Sequence, residues 1–518
     1  MNRRKISARF LSGGLVLALT FLSAGCGQQP SCRLTADLDA LYTDDIPFDM
    51  PRYQLPEIPD KVFCISDFGG IGDGVADNTE AFAAAVSAIA ENRGGRLVVP
   101  QGIWLTGPIE FTDHMELRVE RGAVLLFSKD HSLYKLIQST FEGWTAYRCT
   151  SPLSAYQRTD IAITGEGVID GQGDSWRPVK KGKMTDSQWK QLLKSGVTNE
   201  KGNIWFPSEG GRLGYENPAL RNSDDPAVRE SVRDFYRPVL LSFRSCRNVL
   251  LSGVTFQNSP AWCLHPFCCE NVVLYNLTVR NPWYSQNGDG LDLESSTNTI
   301  VHKCTFDVGD DAICIKSGKD AEGRQLGKPT QDALIVGNTV YHAHGGFVIG
   351  SEMSGGARRL YVKNCSFIGT DIGLRFKSTR GRGGVVEDIY IDGIQMADIA
   401  TDALSFNLYY SGNSPVLDPG DKPDDIRMDL LPPVDETTPV FRKIYVNNVT
   451  CNGAAQAMLF NGLPEMKLTD VEVRHSVFKA QRGAMLAQVD GVLLEDVVIE
   501  PETGEKITTY QAENVTVR

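Results

Sequence analysis

The sequence predicts an all-β solenoid: a single-stranded right-handed parallel β-helix with an N-terminal capping helix and long loops. Three observations predict it. Short β-branched segments broken by Gly, Asn or Asp recur at starts mostly 23 to 35 residues apart, with no helices between them. Four of these segments alternate apolar and polar residues in one register. Fifty glycines in 518 residues suit the many tight turns of such a stack. A β-propeller needs a longer repeat and up-and-down hairpins, so it is the weaker account. A solenoid buries one continuous apolar stack, so a single domain over residues 61–518 is reasonable despite its length.

Taken in order, the chain opens with an export signal over residues 1–26. Arg3, Arg4, Lys5 and Arg9 form a basic start, and the apolar run 10–24 is short for a membrane span. It ends Leu22-Ser23-Ala24-Gly25-Cys26, which resembles a bacterial lipoprotein cleavage box with Leu22 one place earlier than usual. That implies lipidation at Cys26 and an exported, membrane-anchored protein, in the periplasm or on the outer-membrane surface. Residues 27–60 are Pro-rich and aperiodic, which reads as a tether. Twelve cysteines less Cys26 leave eleven, an odd number without metal-ligand spacing. Most are expected as buried core thiols, with a disulfide or two.

Asp77 and Glu80 read as a capping box that opens a helix over 81–90, and Gly94-Gly95 stops it. One amphipathic helix before a long β region suits a lid on the end of the stack. The repeats then start at Asp160, Asn248, Asn271, Asn298, Asp332, Arg359, Asp388, Lys443 and Gly491. Two insertions break the period. Residues 174–236 carry a short helix near 187–193 and the aromatics Trp176, Trp189, Trp205 and Tyr236; residues 411–439 are rich in Pro and Asp. Insertions of this length are expected to wall a cleft.

The stretch 287–377 holds the candidate chemistry. Laid under one another, its four segments put Leu291/Leu293, Ile313/Ile315, Phe347/Ile349 and Leu374/Phe376 on the inward face. Asp292, Glu294, Cys314, Lys316, Val348, Gly350, Arg375 and Lys377 then point outward. With coils about 4.8 Å apart, Asp289 lies under Asp311, and Asp310 under His344. Taken singly, an Asp in such a turn is a turn cap, a lone His is structural, and an outward Arg or Lys is solvated surface. The shared register is what raises them above that reading. Glycoside hydrolysis needs one carboxylic acid to protonate the leaving oxygen and a second carboxylate to act on water or sugar. Like charges held close keep one proton available. An Arg fork beside a Lys suits a substrate carboxylate.

These residues resemble glycoside hydrolase family 28, the polygalacturonases. The resemblance rests on Asn287-Gly288-Asp289-Gly290-Leu291-Asp292, Gly309-Asp310-Asp311, His344-Gly345-Gly346 and Arg375-Phe376-Lys377, in order and at similar spacing, and spans roughly 62–518. Gly72-Asp73-Gly74, Asp170-Gly171 and Asn258-Ser259-Pro260 lend weaker support. Ala343 and Phe376 depart mildly from the family pattern without touching the chemistry. The resemblance implies Asp310 as general acid, Asp289 and Asp311 as activators of water, and inversion at the anomeric carbon. It implies His344 as support for the acid, Arg375 and Lys377 as ligands of a galacturonate carboxylate, and Asn287 and Tyr409 in substrate binding, with Tyr410 adjacent. No metal or cofactor is expected. The expected partner is pectic polysaccharide or oligogalacturonide, handled by a monomer. A net charge of −12 argues against nucleic acid.

Within this class the three Trp and several Arg of the first insertion suggest sugar-stacking faces and a blocked cleft, hence exo action. The rivals are an endo-polygalacturonase, a pectate-lyase-like β-eliminase, and a non-catalytic polysaccharide-binding β-helix.

Overall fold

Each repeat begins on a residue that leaves the common backbone regions. Asp160, Asn248, Asn271, Asn298, Asp332, Arg359, Asp388 and Lys443 all take φ between 52° and 62°. Asn and Asp tolerate this left-handed conformation better than other side chains, which is why they mark the period. Their amides also form a ladder along the stack: Asn248 donates to Asp160 at 2.8 Å, and Asn271 donates to Asn248 at 2.7 Å. The repeat seen in the sequence is therefore a column of turns.

The computed structural model describes residues 30–410 and 427–518. The expected signal, Cys26 and residues 411–426 of the second insertion lie outside the described residues. The chain divides into two units, Met1–Asp44 and Asp45–Arg518. In the first, Pro30–Asp39 is an α-helix where an aperiodic tether was expected.

The second unit is the right-handed parallel β-helix. Its strands stack in three columns. One column contains Leu264–Phe267, Leu291–Glu294, Ile313–Lys316, Gly345–Ile349 and Ile372–Lys377, all parallel. Leu291, Ile313, Phe347 and Leu374 are successive partners, as are Asp292, Cys314, Val348 and Arg375. The alternation seen in the sequence thus holds across all four coils. Inward residues form one continuous core in which the Phe376 and Phe406 rings stack at 4.4 Å.

The helix Thr79–Glu91 joins one end of this core through Phe82, Ala85 and Ile89. The expected Asp77–Glu80 capping box is replaced. Asn78 occupies the cap position, but its buried amide is drawn inward to Ile71 N–H and Leu105 C=O. Asp77 instead accepts from Thr79 N–H at 2.9 Å.

Residues 45–57 of the expected tether are packed as a strap along the outside of the stack. Asp45 pairs with Lys363, and Phe48 packs on Tyr390. Asn298 then donates to Arg52 C=O, Gln54 exchanges two bonds with Asn271, and His114 meets Glu57 C=O. Turn residues that cap the coils also hold the strap, so this segment cannot be a free leash. The ten cysteines from Cys64 to Cys451 are free thiols, not disulfides. Cys304 and Cys365, for example, donate to carbonyls of the preceding coil.

In the first insertion, the expected short helix is Asp186–Leu192, with a Thr185–Gln188 capping box. Helices at Glu209–Glu216, Pro218–Arg221 and Pro226–Ser231 accompany it. The Trp faces are not available to sugars. Trp176 is buried with Tyr134 and Tyr236, and Trp189 and Trp205 are buried with Val179. A long insertion needs small cores of its own, and these aromatics supply them.

Candidate active site

Extended back from the strands, the register sets Asp289 beside Asp311 one coil on, and Asp310, one place earlier, beside His344. The motif glycines make this possible. A Cβ on Gly345 would lie 2.4 Å from Val348 and 3.4 Å from both Arg375 and Asp311, so a larger residue would crowd the place where those two meet. His344 Nδ1 lies 3.0 Å from Asp310 Oδ1, which also accepts Asp311 N–H at 3.1 Å. The contact with Asp310 holds the imidazole above its usual range. Lys377 Nζ donates to Asp311 Oδ2 at 2.7 Å, and Arg375 Nη1 to Asp311 Oδ1 at 3.1 Å. Burial alone would raise Asp311, but these two cations overturn it and keep the carboxyl well below the ordinary range. Asp289 has no such partner. Burial, and then the charges of Asp292 and Asp310, push it well above the ordinary range. Burial and neighbouring negative charge thus act on Asp289 in one direction, and the two cations act on Asp311 in the other.

The outward set is not solvated. Asp292, Glu294 and Lys316 are buried beside Asp289. Lys316 contacts Glu352 at 3.0 Å and Asp292 at 3.5 Å, while Glu294 contacts His265 at 2.7 Å. Their cover is an antiparallel hairpin, Leu136–Phe141 with Trp144–Cys149. It turns through Glu142-Gly143, both at positive φ, as a two-residue loop requires. Phe141 packs on Trp262 at 4.7 Å, and Trp262 in turn receives Lys316 at 4.2 Å. The tip is tied down beyond the strand Ile313–Lys316 by Lys319 N–H to Gly143 C=O and Thr145 N–H to Glu322. Asp310, His344 and Arg375 stay partly open, at 23%, 34% and 17% side-chain exposure. Asp289 is thus buried beside the covered face, while Asp310, His344 and Arg375 keep some exposure.

Asn287 meets the hairpin turn: it accepts from Arg237 at 2.7 Å and donates to Glu142 at 3.4 Å. The first insertion reaches the site through Lys183, whose Nζ is 3.4 Å from His344 Nε2. The tyrosine assignment is corrected. Tyr410, not Tyr409, lies under Arg375 and Lys377, at 5.5 and 4.8 Å. Tyr409 packs against the core and under Arg380, which is paired to Glu465. Both lie in the turn after the strand Gln395–Asn407, where the two rings meet different cations.

Asp289, Asp311 and Cys314 place ligand atoms within 4.8 Å of one another. Arg375 and Lys377 already neutralise Asp311, and their charge opposes a cation there.

A model of glycosyl hydrolases family 28 matches residues 229–428, which include all four motifs. A probable polygalacturonase of Vitis vinifera is 33% identical over 340 residues, covering 64% of this chain and 60% of that one. An exo-poly-alpha-D-galacturonosidase of Dickeya chrysanthemi is 28% identical over 374 residues, covering 69% and 59%. The chain spans about 60% of the length of these two relatives. The crystal structure of a hyperthermoactive exopolygalacturonase from Thermotoga maritima is 30% identical, with a TM-score of 0.69 over 88% of this chain and 95% of that one. The chain belongs to glycosyl hydrolase family 28. A family 28 exopolygalacturonase of Yersinia enterocolitica, 22% identical, shares the fold at a TM-score of 0.69 over 88% of this chain and 78% of that one.

For this family 28 chain, the motif residues were found from sequence because they sit on strands in register or just before them. Lys183, Arg237, Glu142 and Trp262 were not, because they come from loops brought over the groove. A signal for the hairpin existed: Glu142-Gly143 between alternating strands is a hairpin turn.

Proposed function

We propose that the protein hydrolyses α-1,4-linked galacturonan with inversion and works from a chain end. The observation that carries the hydrolase reading is the pairing of Asp311 with both Arg375 and Lys377 beside Asp289 and Asp310. Asp310, held by His344, gives its proton to the leaving glycosidic oxygen. Asp289 and Asp311 face one water from successive coils and take its proton as it attacks. A uronate carboxylate competes with Asp311 for Arg375 and Lys377. As those cations turn to substrate, Asp311 loses its neutralising partners and becomes the stronger base. Recognition of the acidic sugar and activation of the water are then one event. Tyr410, beneath both cations, steadies them as they move.

Exo action is supported by the hairpin over Trp262 and Lys316, which covers the face beside Asp289. Relatives named as exo-acting agree with it. A time course on polygalacturonic acid tests this: monomer or dimer should accumulate from the start while viscosity falls slowly. An early viscosity collapse with few reducing ends would refute it.

The same reading places the chain outside the cytoplasm as a monomer, anchored through a lipid on Cys26. A Cys26→Ala protein should leave the membrane fraction; its retention there would count against the anchor.

A further inference from the structure

A buried ammonium stands behind the catalytic carboxylates. The side chain of Lys316 is 5% exposed, and its Nζ lies 3.0 Å from Glu352 Oε2 and 3.5 Å from Asp292 Oδ1. Neither oxygen of Asp292 has a hydrogen-bond partner, and nor does Asp289 Oδ1, although all three are buried. The neighbouring cations are engaged elsewhere. Lys377 and Arg375 contact Asp311, and His265 contacts Glu294. Among the described residues, Lys316 is the one cation in ion-pair contact with Asp292 or Glu352.

We infer that Lys316 is a positioning residue: through Asp292 and Glu352 it holds the floor of the site in the charge state that lets Asp289 accept a proton. The inference rests on Asp289 acting as a base. Buried carboxylates this close cannot all ionise without a nearby positive charge. The groups facing Lys316 are Cys314 on its own strand, and Asp292, Glu294 and Asp289 from the coil before. Glu352 and Asp311 face it too, Lys377 acts on both Glu352 and Cys314, and the Trp262 ring covers it. Burial, Asp292 and Asp310 all drive Asp289 toward its neutral form, while Lys316 opposes them. Arg237, bonded to Asn287, also acts on Asp289 but sits on the hairpin side.

Two substitutions with opposite signs test this in the full-length protein, through the pH dependence of kcat/KM on a short oligogalacturonide. Lys316→Met removes the positive charge, so the acid limb should move up by about one pH unit or more, a roughly tenfold loss of rate below it. KM at the optimum should change by less than about threefold, and Lys316→Arg should return the limb most of the way. Asp292→Asn removes a negative charge beside Asp289, so its acid limb should move down. A merely structural ion pair would lower the melting temperature in both variants and leave both limbs in place, which would overturn the inference. If Lys316→Met does not fold, Asp292→Asn decides: a limb that stays or moves up overturns it. Full turnover by Asp289→Asn would instead remove the base reading on which the inference rests.

Discussion

Two cations on one carboxylate distinguish Asp311 from its neighbours. Asp311, Arg375 and Lys377 are all largely buried, so their attraction is poorly screened, and each is costly to leave alone. Asp311→Asn should therefore do more than abolish turnover. It strands two buried positive charges, and the expected destabilisation is about 3–5 kcal/mol, read from urea or thermal melts. The pH dependence has a definite sign. Asp311 is held below the ordinary carboxylate range, and Glu352 is held down to about 2 because Lys316 and Lys377 overcome its burial. A carboxyl depressed on folding gives stability that is full above its unfolded pKa of about 4 and is lost as pH falls through its folded value. These two carboxyls should accordingly make the melts fall steeply from about pH 4 toward pH 2, with the Asp311→Asn protein showing the shallower fall. An equal acid dependence in the variant would show that these pairs carry no such linkage.

At the scale of elements, the hairpin Leu136–Phe141 with Trp144–Cys149 covers a face of the stack through Phe141 on Trp262 and Trp262 on Lys316. The face beneath it reads as outward in the sequence, and rightly so: Asp292, Glu294 and Lys316 do project from the column. What the sequence does not carry is their burial, because the cover comes from a hairpin about 150 residues earlier that pairs with no strand of the stack. The tryptophans of the first insertion misled for a related reason. A large aromatic suits a sugar platform and a small side core equally well, and only the packing of Trp176 against Tyr134 and Tyr236 decides between them. Replacing residues 137–148 with a short Gly-Ser link should open the groove past Trp262. The variant should then cut within the polymer, lowering viscosity before monomer accumulates. Unchanged monomer-first kinetics in a folded variant would mean that another element stops the chain.

For the whole molecule, the stack was legible because each coil repeats the same three demands. A left-handed turn residue opens it, an alternating strand follows, and small residues make room where strands and loops meet. Asn248, Asn271 and Asn298 announce this in the sequence, and the structure turns them into a ladder. The strap over residues 45–57 was illegible because it has no period of its own; its bonds go to turn residues of many coils. The stack's effect is to set the motif residues of separate coils side by side with their charges pooled in one groove. The account's central claim is that this pooled site performs inverting hydrolysis at a chain end. Proton NMR of polygalacturonate during the first minutes of reaction tests that claim most directly. It should show saturated galacturonic acid monomer appearing first as the β-anomer, before mutarotation. Product appearing first as the α-anomer, or carrying a 4,5-double bond, would contradict it.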